Sequence, residues 1–219
     1  MARHASPRAT TPRLPPPALG SSRGGPAPAP PAGPSPAAGG SHLKRALPLA
    51  RVYRILERGP VLLVTTARAG RPNVMPLSWQ TMIDFEPPLV GIVMSDRNWS
   101  WRALDVTGEC VLNVPTVELA RAVVGCGNCS GERVDKFRRY HLTPRPARLV
   151  APPLIDECWA SLECRVVDRR LARRYGRCVL EVVQAWHDPA VRRPRTLHHL
   201  GHGSFMVAGE LIKLRSARA

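Results

Sequence analysis

Nine residues in the second half of the chain alternate between two kinds of side chain. Cys158, Ala160, Leu162, Cys164 and Val166 are apolar or small, and Trp159, Ser161, Glu163 and Arg165 stand between them. Successive side chains of an extended strand point to opposite faces. A period of two therefore predicts a half-buried strand over 158–167 with the apolar set facing inward. Cys178 to Trp186 is mostly apolar on both faces, the signature of a central strand. Val61-Leu-Leu-Val-Thr-Thr66 is a β-branched strand, Ala69-Gly70-Arg71-Pro72 its turn, and a second strand follows through Trp79. Leu89 to Met94 and Cys110 to Val114 read as further strands. Leu47, Ala50, Tyr53, Arg54 and Leu56 fit one short helix ended by Gly59-Pro60. Two more helices are expected at Trp99–Val106 and Val117–Val124, the latter stopped by Gly125. The pattern contains no internal repeat and no βαβ succession. Five or six strands with short helices between them predict a closed or nearly closed antiparallel barrel.

Length and composition fit one such domain plus an appendage. Of 219 residues, 44% are hydrophobic, enough for a core. Residues 1–42 form a separate regime of Pro, Ala, Gly and Ser, as in Pro26-Ala-Pro-Ala-Pro-Pro. Such a segment buries too little apolar area to offset its ordering entropy, so a disordered tail is expected there and the folded domain over 43–219. The first acidic residue is Glu57. An acid-free, Arg-bearing leader superficially resembles a transit peptide, but its prolines oppose an amphipathic helix. A disordered tail or a start codon assigned too far upstream is the expectation. No apolar run reaches the roughly 18 residues that span a bilayer, so no membrane association is expected. With no secretory signal in view, the six cysteines read as reduced thiols in the cytoplasm.

The formal net charge is +16, almost all of it from arginine. The basic residues are scattered, as in Arg169-Arg170, Arg173-Arg174 and Arg192-Arg193, and aromatics are too few to interleave as stacking platforms. The charge reads as biased coding with a contribution from an anionic cofactor or substrate, and nucleic acid is not expected as a partner.

Four segments carry polar chemistry. Asn73-Val-Met-Pro-Leu-Ser-Trp79 concentrates a carboxamide, a thioether, a hydroxyl and an indole on a hairpin strand. Alternation sets Asn73, Met75, Leu77 and Trp79 on one side, as a wall for a heteroaromatic ring or as an ordinary strand with a core tryptophan. Ser95-Asp-Arg97-Asn-Trp-Ser100 joins the strand end at Met94 to a helix start near Asn98. A helix N-terminus with an adjacent guanidinium is an anion site in form, though Arg97 is equally a solvated charge. Cys126-Gly-Asn-Cys129 has the spacing of a redox or zinc pair but lacks the βαβ setting of the one and a nearby second pair for the other; His198 and His202 complete a zinc set only formally. Gly125, Gly127 and Gly131 follow a helix at the wrong spacing for a dinucleotide fingerprint. His198-His-Leu-Gly-His-Gly-Ser-Phe205 reads as a glycine-flanked loop.

Taken in order, these stretches resemble the flavin reductase-like family with the FMN-binding split barrel, and within it the flavoredoxin branch. The matching pieces are 73–79, Phe85-Glu-Pro-Pro88, 95–100, Gly108 to Pro115, Cys126-Gly127, Ser130 to Phe137, Leu154-Ile155 and Leu162 to Arg165, over about residues 50–210. The resemblance implies a mainly β, six-stranded antiparallel split barrel with short helices. It implies a homodimer holding FMN near the subunit interface. Asn73, Ser78 and Trp79 would line the flavin, Ser95, Arg97 and Ser100 would hold its phosphate, and Lys136 would add a polar contact; Met75, Met94 and Phe205 complete the expected set. Pro76 departs from the family's Thr or Ser and removes one hydroxyl and one N–H, and Cys129 is unusual at its place. The implied activity is NAD(P)H-dependent flavin reduction, with NAD(P)H as a transient donor and a monooxygenase or other redox partner as acceptor. The alternative is a flavoredoxin-type electron carrier that does not itself oxidise NAD(P)H. No catalytic side chain is assigned, because flavin carries the hydride chemistry.

Overall fold

The computed structural model describes residues 43–57 and 59–215. The expected disordered tail, 1–42, lies outside the described residues. In chain order the elements are β1 (Arg45–Ala46), α1 (Tyr53–Leu56), β2 (Leu62–Arg68), β3 (Arg71–Leu77), β4 (Gln80–Phe85), β5 (Pro88–Val93), α2 (Trp99–Thr107), β6 (Glu109–Val114), α3 (Ala120–Gly127), α4 (Lys136–Arg139), β7 (Pro144–Arg145), β8 (Leu154–Ile155), β9 (Ala160–Asp168), α5 (Ala172–Tyr175), β10 (Arg177–His187), β11 (Leu197–Gly201) and β12 (Ser204–Val207).

One eight-stranded sheet runs β3-β2-β6-β9-β10-β5-β4, with β1 pairing to β10 off that path. Every pairing in it is antiparallel. The mainly β, antiparallel expectation holds, but the sheet does not close: β3 and β4 end it at opposite edges, and the chain crosses between those edges at Ser78-Trp79. Pro72 and Pro76 explain one edge. They lie four residues apart on β3 and so withhold N–H groups from the same side of the strand, which suits an edge and not an interior position. The chain runs straight from β3 into β4 after two residues, so the sequence gives no turn signal at the split.

The sheet is buried on both faces along much of its length. On β2, Leu62 and Val64 face the inner core with Val90, Ile92, Leu112, Leu162 and Leu180, and Leu63, with Val61 just before the strand, faces a second cluster with Val74, Val123, Phe137 and Leu197. Helix α2 buries Trp101 and Leu104 in the first cluster, and α3 and α4 cover the second.

Three expectations are corrected. The first half of β9 is buried on both faces, because the carboxylate of Glu163 turns inward to accept from the amides of Arg148 and Leu149, at 3.0 and 2.6 Å, and from the Trp186 indole at 2.7 Å. A packed chain segment fills the face that alternation assigned to solvent. The single helix expected over 47–56 is replaced by β1, a 3₁₀ turn at Leu49–Arg51 and α1, since Arg45 and Ala46 pair with His187 and Trp186. The loop at 198–205 is a hairpin of β11 and β12, turning through left-handed Gly201, His202 and Gly203.

Candidate functional site

The site forms where β3, the start of α2 and the chain between α3 and α4 meet. Asn73 on β3 is buried, opposite Thr66 in the β2–β3 ladder. Its Nδ2 donates to Ser100 Oγ at 2.8 Å, and Ser100 is itself buried in the first turn of α2. This bond ties the strand to the helix. Gly131 lies against the other side of the same carboxamide, so close that a Cβ there would sit 1.9 Å from Asn73 Oδ1. Arg71, two residues earlier, donates from one guanidinium nitrogen to the carbonyls of Gly131 and Glu132, each at 3.0 Å. The 128–133 loop is thereby clamped onto β3.

Lys136 opens α4 and is buried. Its Nζ donates to Val74 O at 2.9 Å and Cys126 O at 2.7 Å, joining α4, β3 and the end of α3. Burial holds its pKa below the ordinary lysine value, opposed by the nearby Cys126 and Cys129 sulfurs. Cys126 is pushed up to about 12 by burial, against the pull of Lys136, so its thiol stays protonated near neutrality. Among the described residues no group of three or more His, Cys, Asp or Glu is placed to hold a metal ion.

These contacts enclose a cavity of about 500 Å³. Of the residues expected from sequence, it is lined by Asn73, Met75, Arg97, Ser100 and Lys136. Asn98 begins α2 without making a side-chain capping bond, which leaves the helix's first-turn N–H groups, with its positive end, to whatever the cavity holds. Among the described residues that line it, Arg97 and Lys136 are cationic and none carries a carboxylate. Met75 and Pro76 add a flat apolar wall. An anionic ligand with a planar ring matches both parts.

A neighbouring cavity of about 260 Å³ shares Pro76, Gly127 and Asn128 with the first and contains the expected Ser78 and Phe205. The Phe205 ring lies against His199, their centroids 5.4 Å apart. A Cβ at Gly127 would approach Pro76 Cγ to 3.1 Å, so glycine lets the end of α3 settle over β3.

Three expected residues lie elsewhere. Met94 continues the alternation of Val90 and Ile92 and is buried in the inner core, so its side chain does not reach the cavity. The same period of two assigns it inward from sequence. Trp79 and Ser95 line a separate cavity of about 810 Å³ with Trp101 and Tyr175. Trp79 is 70% exposed, because β3 ends at Leu77 and the alternation that grouped Trp79 with Asn73 ends with it. Asn128 and His199, in two segments singled out from the sequence but given no ligand role there, also line these cavities; they sit on loop and hairpin backbone whose position depends on distant packing.

The flavin reductase like domain family model matches residues 56–204. The uncharacterized protein YddH of Escherichia coli strain K12 is 31% identical over 173 residues, covering 73% of this chain and 92% of that protein. An uncharacterized protein of Archaeoglobus fulgidus is 33% identical over 122 residues, covering 56% of this chain and 69% of its own length. Among solved structures, an FMN-binding domain of a flavin reductases-like enzyme from Shewanella baltica OS155 superposes with a TM-score of 0.75 at 26% identity, over 78% of this chain and 97% of that one. Flavoredoxin of Desulfovibrio vulgaris (Miyazaki F) shares the fold, with a TM-score of 0.67 at 21% identity over 73% and 92% of the two chains.

Proposed function

The chain belongs to the flavin reductase-like family, and on that premise we propose that it binds FMN in the cleft of β3, α2 and α4 and acts as an NAD(P)H-dependent flavin reductase. The observation that carries this is the make-up of the 500 Å³ cavity: two cations, a helix start and no carboxylate among the described residues beside an apolar wall. Arg97, Ser100 and the first-turn amides of α2 suit the phosphate. Met75 and Pro76 suit the face of the ring, and Ser78 and Phe205 border its open side. Lys136 keeps its charge beside the anion, which offsets the burial that lowers its pKa. When bound, FMN supplies the hydride and electron chemistry. The protein's part is to orient the ring, exclude water from one face and leave the other open to a donor, which accounts for the missing nucleotide-binding fold.

Other parts of the reading follow. Trp79, Ile83 and Phe85, on and beside the edge strand β4, are 70, 43 and 56% exposed, a surface suited to a second copy of the chain. Reduced flavin would pass to a monooxygenase or another redox partner. The free cysteines suit the cytoplasm, and among the described residues no helix is long and apolar enough to cross a membrane. Anaerobic mixing of the FMN-loaded protein with NADH or NADPH tests the activity. Flavin bleaching with either is expected; none with both would leave an electron carrier reduced by another protein.

A further inference from the structure

The Cys126-Gly-Asn-Cys129 sequence closes α3 and brings both cysteines to the lining of the 500 Å³ cavity. The helical turn continues past the end of α3. Asn128 keeps a right-handed helical backbone, and its N–H donates to the carbonyls of Val124 and Gly125, each at 3.1 Å. Residues three apart in such a turn lie on one side, with their Cα atoms about 5 Å apart. A disulfide bridges Cα atoms roughly 4.4–6.8 Å apart. Cys126 is buried. Cys129 is partly exposed, its Sγ 3.4 Å from Gly125 O and 3.6 Å from Tyr140 Oη. Both sulfurs lie near enough to the Lys136 ammonium to oppose the lowering of its pKa by burial. Gly127, between the two cysteines, rests against Pro76 in the apolar wall of the cleft.

Nothing in the FMN reading uses these thiols. Cys110, Cys158, Cys164 and Cys178 are buried in the core clusters and do not line the cleft. Among the described residues no third metal ligand stands beside Cys126 and Cys129, so the chemistry two such thiols can share is oxidation and reduction. Resting on the FMN reading of the cleft, we propose that Cys126 and Cys129 form a dithiol–disulfide centre that exchanges two electrons with the bound flavin. In one direction the two S–H bonds break, the S–S bond forms, and two electrons and two protons pass to oxidised flavin. In the other, reduced flavin returns them and the S–S bond opens. Cys129 presents its sulfur on the ligand side. Cys126 is the inner partner, kept protonated near neutrality by burial. The Lys136 ammonium, tied to Cys126 O at 2.7 Å, offsets negative charge on a sulfur released as the bond opens. The pair is a two-electron store beside a two-electron cofactor.

The test follows the tryptic peptide 122–133, which lies between Arg121 and Arg133 and contains both cysteines and no other. The full chain carrying FMN, and the same chain freed of FMN, are oxidised with diamide under nitrogen and cleared of the reagent. Samples are unfolded, alkylated with iodoacetamide and mapped by peptide mass. In both, the peptide is expected to lose two hydrogens and to take up no iodoacetamide. Illumination with EDTA then reduces flavin and leaves disulfides untouched. In the chain carrying FMN, bleaching of the flavin is expected to restore both thiols in full; in the chain without FMN the bond is expected to stay closed. A peptide that is still doubly alkylated after diamide overturns the inference, including the case in which other cysteines pair instead. So does a disulfide that survives complete bleaching of the flavin. A chain that closes the bond but takes up no FMN fails the proposed function, as its flavin spectrum shows, and the electron exchange falls with it.

Discussion

Gly131→Ala isolates the packing at the heart of the site. Gly131 carries no positive-φ strain, so the substitution acts through space alone. The new methyl group would lie 1.9 Å from Asn73 Oδ1 and 2.4 Å from its Cγ. An ordinary C–H···O contact is about 3.3 Å, so the carboxamide or the loop has to withdraw by roughly 1.4 Å. Asn73 has little freedom to do so, being buried and bonded to Ser100 at 2.8 Å. A shift of that size breaks the bond if Asn73 moves, or strips Arg71 from the loop carbonyls if the loop moves. Loss of the buried Asn73–Ser100 bond costs about 1–3 kcal/mol, and loss of the more exposed Arg71 bonds costs less. For a domain of this size that corresponds to about 2–4 °C in Tm per kcal/mol. FMN affinity should fall about tenfold for each 1.4 kcal/mol of lost positioning. Gly209→Ala is the matched control, since a Cβ there meets nothing within 4 Å. Thermal unfolding and FMN titration of the two variants side by side are the assay. A Gly131→Ala protein that matches Gly209→Ala in both would refute the reasoning, showing that Asn73 and the loop adapt freely.

Arg97→Glu should weaken FMN binding more than tenfold while leaving Tm nearly unchanged, because the side chain is exposed and its charge faces the cleft; unchanged FMN affinity would make Arg97 a surface charge only. Lys136→Met should lower stability by about 1–3 kcal/mol in denaturant melts, since two buried carbonyls lose their donor. The pKa of Lys136 is depressed in the fold, so the unfolded chain binds more protons between the lowered value and 10.5, and this residue's contribution to stability rises with pH through that window; Lys136→Met should remove that rise from the pH profile. Cys158 acts with the opposite sign. Burial raises it from 9.0 to about 12, so its stabilising contribution is complete below pH 9 and is lost as pH climbs towards 12. Cys158→Ala should show a shallower alkaline fall in Tm than wild type.

The chain's local chemistry determined a good deal. Strand and helix existence follows from periodicity: β9, β10, α2 and α3 lie within a few residues of where apolar spacing sets them, because a half-buried element must present one face to the core. Asn73, Met75, Ser100 and Lys136, which line the cleft, were expected from the family resemblance that joined three separate segments, and not from periodicity. Local pattern has no access to contacts between distant segments, and there the tertiary structure decided. It buried Glu163 by laying 148–149 against β9, and sent Trp79 to another cavity by ending β3 at Leu77. It also parted β3 from β4 at Ser78-Trp79 with no turn residue to mark the place. Side-chain alternation is a property of consecutive residues, whereas closure, burial of charge and the shape of a cleft depend on which remote segments share a space.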